Sequence, residues 1–189
     1  KEQKELWIPK IENGEVRAFY ALTDPNHGSD AANVSMIAEP QDDGSYVLTG
    51  SKLWISNAYE KDADGRPGLG TFFAQVPREV DGKTKKFLTA FVVPMDVAGV
   101  TITEAAECKM GLYASKTSHI ELVNVKVPAF NRLGKEGEGK ALEYEILNPG
   151  RARLGANAAG ASQMTTDITY KYANERSQSG SKIWNFGMV

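Results

Sequence analysis

Residues 20–34, YALTDPNHGSDAANV, are the first part of the chain whose composition could support chemistry. An apolar run that is typical of a strand passes here into a turn rich in Pro, Gly, Ser and Asp. Such a turn can present hydroxyl groups and backbone N–H groups to one ligand. From these residues alone, the segment is either a ligand-binding loop or an ordinary turn that ends a strand.

Residues 48–58, LTGSKLWISNA, form a second candidate segment. Side chains two residues apart lie on the same face of a strand, so Trp54 would offer an aromatic surface beside the hydroxyl of Ser56. Taken alone, this pattern is typical of a core strand. The sequence contains no GxxxxGK[ST], no GxGxxG after a strand and no HExxH, so standard dinucleotide folds are not indicated.

The charge balance and the few metal-ligating residues narrow the classes of partner. With 22 basic and 24 acidic side chains, the formal net charge is -2, which gives no electrostatic reason to expect nucleic acid or an anionic membrane. The one cysteine, Cys108, cannot form an internal disulfide, and with His27 and His119 it cannot build a histidine-rich metal site. We therefore expect a reducing compartment and no metal, and we expect His27 to be an exposed turn residue.

Two regimes of sequence pattern divide the chain. Between Val16 and about Val127, short β-rich runs are separated by turns, which predicts an antiparallel sandwich or barrel. Residues 42–44, DDG, and residues 78–86, REVDGKTKK, are predicted to be hairpin turns, and residues 59–70 an exposed loop. No apolar run approaches the roughly 20 residues that a membrane-spanning helix needs.

After Pro128 the pattern becomes helical. Asn148 followed by Pro149 is a start signal, because Asn can cap a helix and Pro is tolerated at its first position. From there, residues at spacings of three and four predict a helix of about 40 Å that lasts until Arg176. These residues are Leu154, Ala158, Ala161, Thr165, Ile168 and Tyr172. A long helix of this kind needs partner helices, so we expect the chain to be an internal fragment.

Together, the two candidate segments resemble the signatures of the acyl-CoA dehydrogenase family. The family patterns are Tyr-x-x-Thr-[Glu/Asp]-Pro-x-x-Gly-Ser-Asp, which stands here at residues 20–30, and Gly-x-Lys-x-[Trp-Ile]-[Ser/Thr]-Asn, at residues 50–57. The resemblance continues through KMGLYASKTSHIELVNVKVP, GKEGEGKALEYEILNPGRARLGANAAG and ANERSQSGSKIWNFG, practically the whole chain. The stretches NPGRARLG and KIWNFG are most similar to the very-long-chain branch.

The resemblance implies a fold and a reaction. Residues 1–130 would form the family's mainly β middle domain, an antiparallel barrel or sandwich, and residues 131–189 the truncated start of an α-helical bundle domain. The implied reaction is the flavin-dependent α,β-dehydrogenation of a fatty acyl-CoA to trans-2-enoyl-CoA, as in fatty acid β-oxidation. A carboxylate removes the α-proton while a hydride leaves the β-carbon for N5 of FAD.

The resemblance also implies contacts to FAD. Tyr20, Leu22, Thr23 and Ser29 match the segment along the flavin and its ribityl chain, where Thr23 would donate to the pyrimidine edge. A second flavin strand places an indole against the ring and a hydroxyl or its backbone near N5; the matching residues here are Trp54, Ile55 and Ser56.

Further matches concern the partner subunit and the substrate. Arg176 and Gln178 match an Arg-x-Gln-Phe-Gly segment that reaches the FAD of the partner subunit, although Ser179 replaces the usual aromatic residue. Ser29 and Arg151 match positions that approach acyl-CoA. No catalytic residue is expected in this chain. The alternative position for the glutamate base is at the start of the long helix, and this chain has Gly150 there. Glu143 and Glu145 lie before that position. The glutamate base is therefore expected downstream.

The implied assembly is a homodimer or homotetramer, with an electron-transfer flavoprotein as electron acceptor. The compartment would be the cytoplasm of a bacterium or the mitochondrial matrix of a eukaryote. Two alternatives stay open. The first is a catalytically inactive homologue that binds acyl-CoA and FAD or serves in assembly, motivated by Ser179. The second is a free-standing β-domain interaction module, which explains the strands but not the helix ending in SQSGSKIWNFG.

Overall fold

The structure, a computed structural model, describes residues 1–62, 64–104 and 109–189. Cys108, for which we expected neither an internal disulfide nor a metal site, lies outside these residues. The chain divides into two compact units, Lys1–Leu142 and Glu143–Val189. None of the helices in the described residues is long and apolar enough to cross a membrane.

The first unit is built around one sheet. Helix α1 (Glu2–Glu12) precedes the strands β1 (Arg17–Ala21), β2 (Ile37–Pro40), β3 (Tyr46–Ser56), β4 (Gly68–Val80), β5 (Lys83–Pro94), β6 (Val100–Glu104), β7 (Thr117–Val127) and β8 (Arg132–Leu133). In the described part of the chain, these form an eight-stranded sheet in the order β6-β7-β3-β2-β4-β5-β8, with β1 also paired to β4. The prediction of a mainly β fold is confirmed.

The sheet is mixed, whereas the sequence predicted an antiparallel one. Both β1 and β2 run parallel to β4, and the other strand pairs are antiparallel. A parallel pair requires a crossover between its strands. Here the crossover from β1 to β4 contains the Pro- and Gly-rich turn and the β2–β3 hairpin. The candidate binding turn is therefore part of the connection that allows β1 to pair with β4 in parallel.

Both predicted hairpin turns are confirmed. Gly44, with a φ of 80°, lies in the turn between β2 and β3. Asp81 and Gly82 form the two-residue turn between β4 and β5, with φ values of 55° and 69°. Two positive φ values at the centre of a two-residue hairpin match the right-handed twist of the flanking strands, which explains why Asp-Gly occupies it.

Buried apolar side chains of the described residues form three clusters, and the largest of them packs against β3. It includes the fully buried side chains of Phe72, Phe91, Leu48, Ile120 and Leu122. A Cβ at Gly50 would lie 2.8 Å from the Cα of Met36, and the φ of Gly50 is 142°. Only glycine allows the backbone before β2 to approach β3 this closely, so the glycine that opens the second signature has a packing role.

The second unit consists of most of helix α2 and a short terminal segment. Helix α2 spans Gly139–Glu175, about 55 Å at about 1.5 Å per residue. The predicted helix start at Asn148 is wrong, because the helix runs through Pro149. Asn148 accepts a hydrogen bond from the Arg151 guanidinium at 2.9 Å instead of capping a helix. A proline inside a helix removes one backbone hydrogen bond and crowds the carbonyl four residues earlier, which costs about 3 kcal/mol, so the rest of this long helix must offset that cost.

The terminal segment packs on the last turns of α2. Strands β9 (Ser177–Gln178) and β10 (Ser181–Lys182) form a hairpin. Trp184 contacts Tyr170 edge to face, with ring centroids 5.1 Å apart, and the Lys182 amine donates to the carbonyl of Glu175 at 2.8 Å. Several side chains of the predicted helical stripe, among them Leu154, Ile168 and Tyr172, are exposed.

Candidate functional site

The two segments singled out from the sequence meet where β1 and β3 end. The backbone N–H of Leu53 donates to the carbonyl of Thr23 at 3.0 Å. The side-chain amine of Lys52 donates to the carbonyl of Leu22 at 2.7 Å. Two neighbouring residues of β3 therefore hold two neighbouring carbonyls of the segment that follows β1. This arrangement brings the first signature, at Leu22 and Thr23, directly beside the second.

Trp54 is turned outward by an irregularity in β3. Its side chain is 57% exposed and its φ is 56°, in the left-handed region. The pairing register with β7 shifts between Lys52 and Ile55, as it does at a β-bulge. Bulges redirect side chains, and a left-handed φ costs a non-glycine residue about 1–2 kcal/mol. The interpretation of Trp54 as a core residue is therefore wrong, and the bulge leaves an indole surface accessible.

The predicted contact residues differ in which of their atoms a ligand could reach. Ile55 is only 4% exposed and Leu22 only 8%, so they belong to the core and could offer a ligand their backbone only. Ser56 is exposed, and Thr23 is half-buried. Tyr20 is also half-buried and packs against Phe73, with ring centroids 5.2 Å apart. The accessible groups are thus an indole and two hydroxyls.

The turn after β1 is held together by Asp24, which is 3% exposed. One carboxylate oxygen accepts the backbone N–H groups of Asn26 at 3.0 Å and His27 at 2.8 Å, and it lies 3.0 Å from the His27 ring. The other oxygen accepts the backbone N–H of Ser35. His27 is half-buried in this network, so its prediction as an exposed residue is wrong. Ser29 lies on the exposed outer part of the turn.

Hydrogen bonding keeps Asp24 ionised in this buried place. Burial by itself raises the pKa of the carboxyl group. The donors from Ser35, His27 and Asn26, together with the nearby positive charge of Lys52, outweigh burial and place the pKa below its ordinary value of 3.8. A carboxylate that accepts several backbone N–H groups is expected to behave in this way.

Lys52 is a residue that sequence reasoning missed. Its side chain is 0% exposed. Burial lowers its pKa from 10.5 to about 7, against the opposing effect of Asp24. Two signals could have identified it: the lysine belongs to the second signature, and strand alternation places it on the same face as the buried residues Tyr46 and Leu48. A lysine on the inner face of a strand needs a partner, here the Leu22 carbonyl.

The remaining predicted residues lie in the second unit and are exposed. Arg151 projects from α2 and donates to Asn148. Arg176 directly follows α2, and Gln178 belongs to the β9–β10 hairpin. The tip of that hairpin is Ser179 and Gly180, with φ values of 52° and 81°. Gly180 thus keeps the predicted turn. Within the described residues, no group of three or more His, Cys, Asp or Glu side chains could hold a metal ion.

Comparison with known proteins agrees with both signatures. Residues 19–125 match the family model of the acyl-CoA dehydrogenase middle domain. The mitochondrial very long-chain specific acyl-CoA dehydrogenase of Rattus norvegicus is 40% identical over 192 residues, which cover 100% of this chain and 28% of that protein. The mitochondrial short-chain specific acyl-CoA dehydrogenase of Sus scrofa is 35% identical over 176 residues, 93% of this chain and 40% of that protein.

A solved structure has the same fold. The acyl-CoA dehydrogenase complexed with FAD from Bacillus anthracis superposes with a TM-score of 0.81 at 35% identity, over 100% of this chain and 30% of that one. The chain therefore spans less than half the length of these relatives. The resemblance inferred from the two signatures is confirmed: the chain belongs to the acyl-CoA dehydrogenase family.

Proposed function

We propose that the protein containing this chain is an FAD-dependent acyl-CoA dehydrogenase that converts a fatty acyl-CoA into trans-2-enoyl-CoA. The observation that carries the proposal is the junction of β1 and β3, where Trp54 lies exposed with a left-handed φ beside the Leu22–Thr23 segment. Backbone strain of this kind clusters at ligand sites, where the surrounding structure must enforce it. In this proposal, the chain supplies contacts to FAD and part of the contacts to acyl-CoA.

The accessible groups fit a flavin. A flavin ring is planar, with an apolar benzenoid end and a polar pyrimidine end, so it requires an aromatic or apolar cover together with hydrogen-bond donors. Trp54 offers the exposed aromatic cover. Thr23 and Ser56 offer hydroxyl donors, and the backbone of Leu22 and Ile55 completes the surface. When bound, FAD would supply the hydride acceptor for the dehydrogenation.

The residues of this chain would act by stabilising charge and by excluding water. The Thr23 hydroxyl would be a fixed donor to the polar edge of a bound flavin, where it would stabilise negative charge. Such a donor is worth more in a site from which water is excluded, because the local dielectric is low and no reorganisation is needed. Trp54 would cover the ring and exclude water, and Ser56 would place a hydroxyl or its backbone near N5.

Substrate and partner contacts are also part of the proposal. Ser29 would contact acyl-CoA from the turn, and Arg151 would bind phosphate or adenine, for which a planar and always charged guanidinium is suited. Arg176 and Gln178 would reach the FAD of a second subunit in a homodimer or homotetramer. The exposed apolar residues Leu154 and Ile168 support a helical domain that packs against further helices. The catalytic glutamate would come from sequence downstream of this chain.

The proposal also includes an electron acceptor, a compartment and domain bounds. An electron-transfer flavoprotein would accept the electrons, as the resemblance implies. The mammalian relatives are mitochondrial proteins by name. This supports a place in the mitochondrial matrix if the protein is eukaryotic, and the cytoplasm would be the corresponding compartment in a bacterium. We propose residues 1–130 as the middle domain and residues 131–189 as the start of the helical domain.

An anaerobic titration of the full-length protein with acyl-CoAs of increasing chain length tests the function. We expect the visible absorbance of the oxidised flavin to disappear, most completely with long-chain substrates, because the stretches NPGRARLG and KIWNFG resemble the very-long-chain branch. Free CoA is the matched control, since it has no acyl chain to oxidise and should leave the absorbance unchanged. Bound flavin that no acyl-CoA reduces would contradict the proposal and favour the inactive binding homologue.

A further inference from the structure

Lys52 has a position that the dehydrogenation reaction itself does not explain. Its side chain is one of the largest that are fully buried in the described residues. Its amine lies 2.7 Å from the carbonyl oxygen of Leu22. The adjacent residue, Leu53, uses its backbone N–H to hold the carbonyl of Thr23 at 3.0 Å.

This pair of bonds fixes the direction of one peptide plane. The carbonyl of Leu22 and the N–H of Thr23 belong to the same planar peptide group, in which they point in opposite directions. A lysine that holds the Leu22 carbonyl toward β3 therefore aims the Thr23 N–H away from β3. The bond from Leu53 prevents the same segment from rotating at the next carbonyl. Rotation of the Leu22–Thr23 peptide would have to break the bond to Lys52.

We propose that Lys52 is a positioning residue of the flavin site, which holds the Leu22–Thr23 peptide so that the Thr23 amide and hydroxyl are aimed at the polar edge of the flavin. This inference rests on the proposed FAD-dependent function. Lys52 itself would not touch the cofactor or the substrate. It would act through the peptide that does.

The physical chemistry of the site agrees with this role. Burying a lysine costs free energy because its charge must be desolvated. A methionine of similar length would fill the same volume without that cost. The structure compensates the lysine with Asp24, whose carboxylate is itself held by the backbone of Asn26, His27 and Ser35. Lys52 is thus hydrogen-bonded to the Leu22–Thr23 peptide and interacts electrostatically with the carboxylate that holds the following turn.

The test uses the full-length protein stripped of FAD and reconstituted, as wild type and as the variants Lys52→Met, Lys52→Gln and Val127→Ala. Lys52→Met removes the donor, and Lys52→Gln restores a neutral donor on a shorter side chain. Val127→Ala opens the core at the opposite end of the β3–β7 pair, where Val127 is 2% exposed and pairs with Tyr46. It serves as a control for general destabilisation. FAD affinity and flavin midpoint potential are measured at about pH 8.5, where the lysine is mostly neutral and its charge does not confound the comparison.

We expect Lys52→Met to weaken FAD binding by about tenfold or more and to make the midpoint potential more negative, because a loosely held donor stabilises the reduced ring less. Lys52→Gln should fall between Lys52→Met and wild type. Val127→Ala should lower the unfolding midpoint without moving the potential. If Lys52→Met does not fold, Lys52→Gln alone must still shift affinity and potential in the same directions.

Two results would overturn the inference. One is FAD affinity within about twofold of wild type together with an unchanged potential in the folded Lys52 variants. The other is an equal shift of potential in Val127→Ala, which would show that any destabilised core has this effect. A wild-type protein that binds no FAD would instead overturn the proposed function itself, so the two failures are distinguishable.

Discussion

Lys52→Met is expected to cause a large change in the pH dependence of stability. The folded protein holds the Lys52 pKa at about 7, whereas the ordinary value of the unfolded chain is 10.5. Between these values, the unfolded state binds a proton that the folded state does not, so stability rises with pH. The wild type should therefore gain roughly 3 kcal/mol relative to Lys52→Met between about pH 7 and about pH 9.5.

Urea unfolding of the full-length wild type and variant across this pH range measures the effect. The difference between the two unfolding free energies should change with a slope of about 1.4 kcal/mol per pH unit above pH 7, with the wild type becoming relatively more stable. Lys86→Met is the matched control, because Lys86 is exposed on β5. Its curve should run parallel to that of the wild type. If the unfolding free energies of Lys52→Met and the wild type changed equally with pH, the pKa of Lys52 would be the same in the folded and unfolded states.

Asp24→Ala is expected to destabilise the protein by roughly 3–5 kcal/mol at neutral pH. The substitution removes the acceptor for the backbone N–H groups of Asn26, His27 and Ser35, and it leaves the buried Lys52 without its compensating charge. Because the Asp24 pKa is lowered from 3.8 on folding, this contribution is present above that pH and is lost as the pH falls through the folded pKa.

The unfolding free energy of Asp24→Ala can be compared with those of Asp24→Asn and Asp42→Ala. The asparagine keeps one acceptor oxygen and should lose less stability than the alanine. Asp42 is exposed in the β2–β3 turn, so its replacement should change stability by no more than about 0.5 kcal/mol. If Asp24→Ala were as stable as Asp42→Ala, the network around the turn would have no energetic importance.

Local chemistry explains which parts of the fold could be predicted from the sequence. Asp81 and Gly82 impose a hairpin through their positive φ values, and the short β-rich runs require a sheet, so both were predictable. The parallel pairing of β1 with β4 is set by tertiary packing over a long crossover, and no local signal encodes it. At Pro149 a local signal is present but gives the wrong result. Asn148 and Pro149 predict a helix start, whereas the helix continues through Pro149.

In the candidate site too, some features could be predicted from the sequence and others depend on the folded structure. The signatures predict contacts at Leu22, Thr23, Trp54 and Ser56 because a family resemblance carries their order along the chain. Whether Trp54 faces the core or the solvent depends on a register shift in β3, and alternation alone gives no indication of it. A lysine in a strand is usually solvated, and only the meeting of two distant segments gives the Lys52 amine a buried acceptor.

Amide hydrogen exchange of the full-length protein with and without FAD measures whether FAD lies against the junction of β1 and β3, as we propose. We predict that FAD slows exchange at residues 22–29 and 53–57, which carry the proposed contacts. Residues 81–86, at the β4–β5 hairpin tip, should be unaffected and serve as an internal reference. Protection by FAD that omits residues 22–29 and 53–57 and falls elsewhere in residues 1–142 would show that FAD does not bind at this junction.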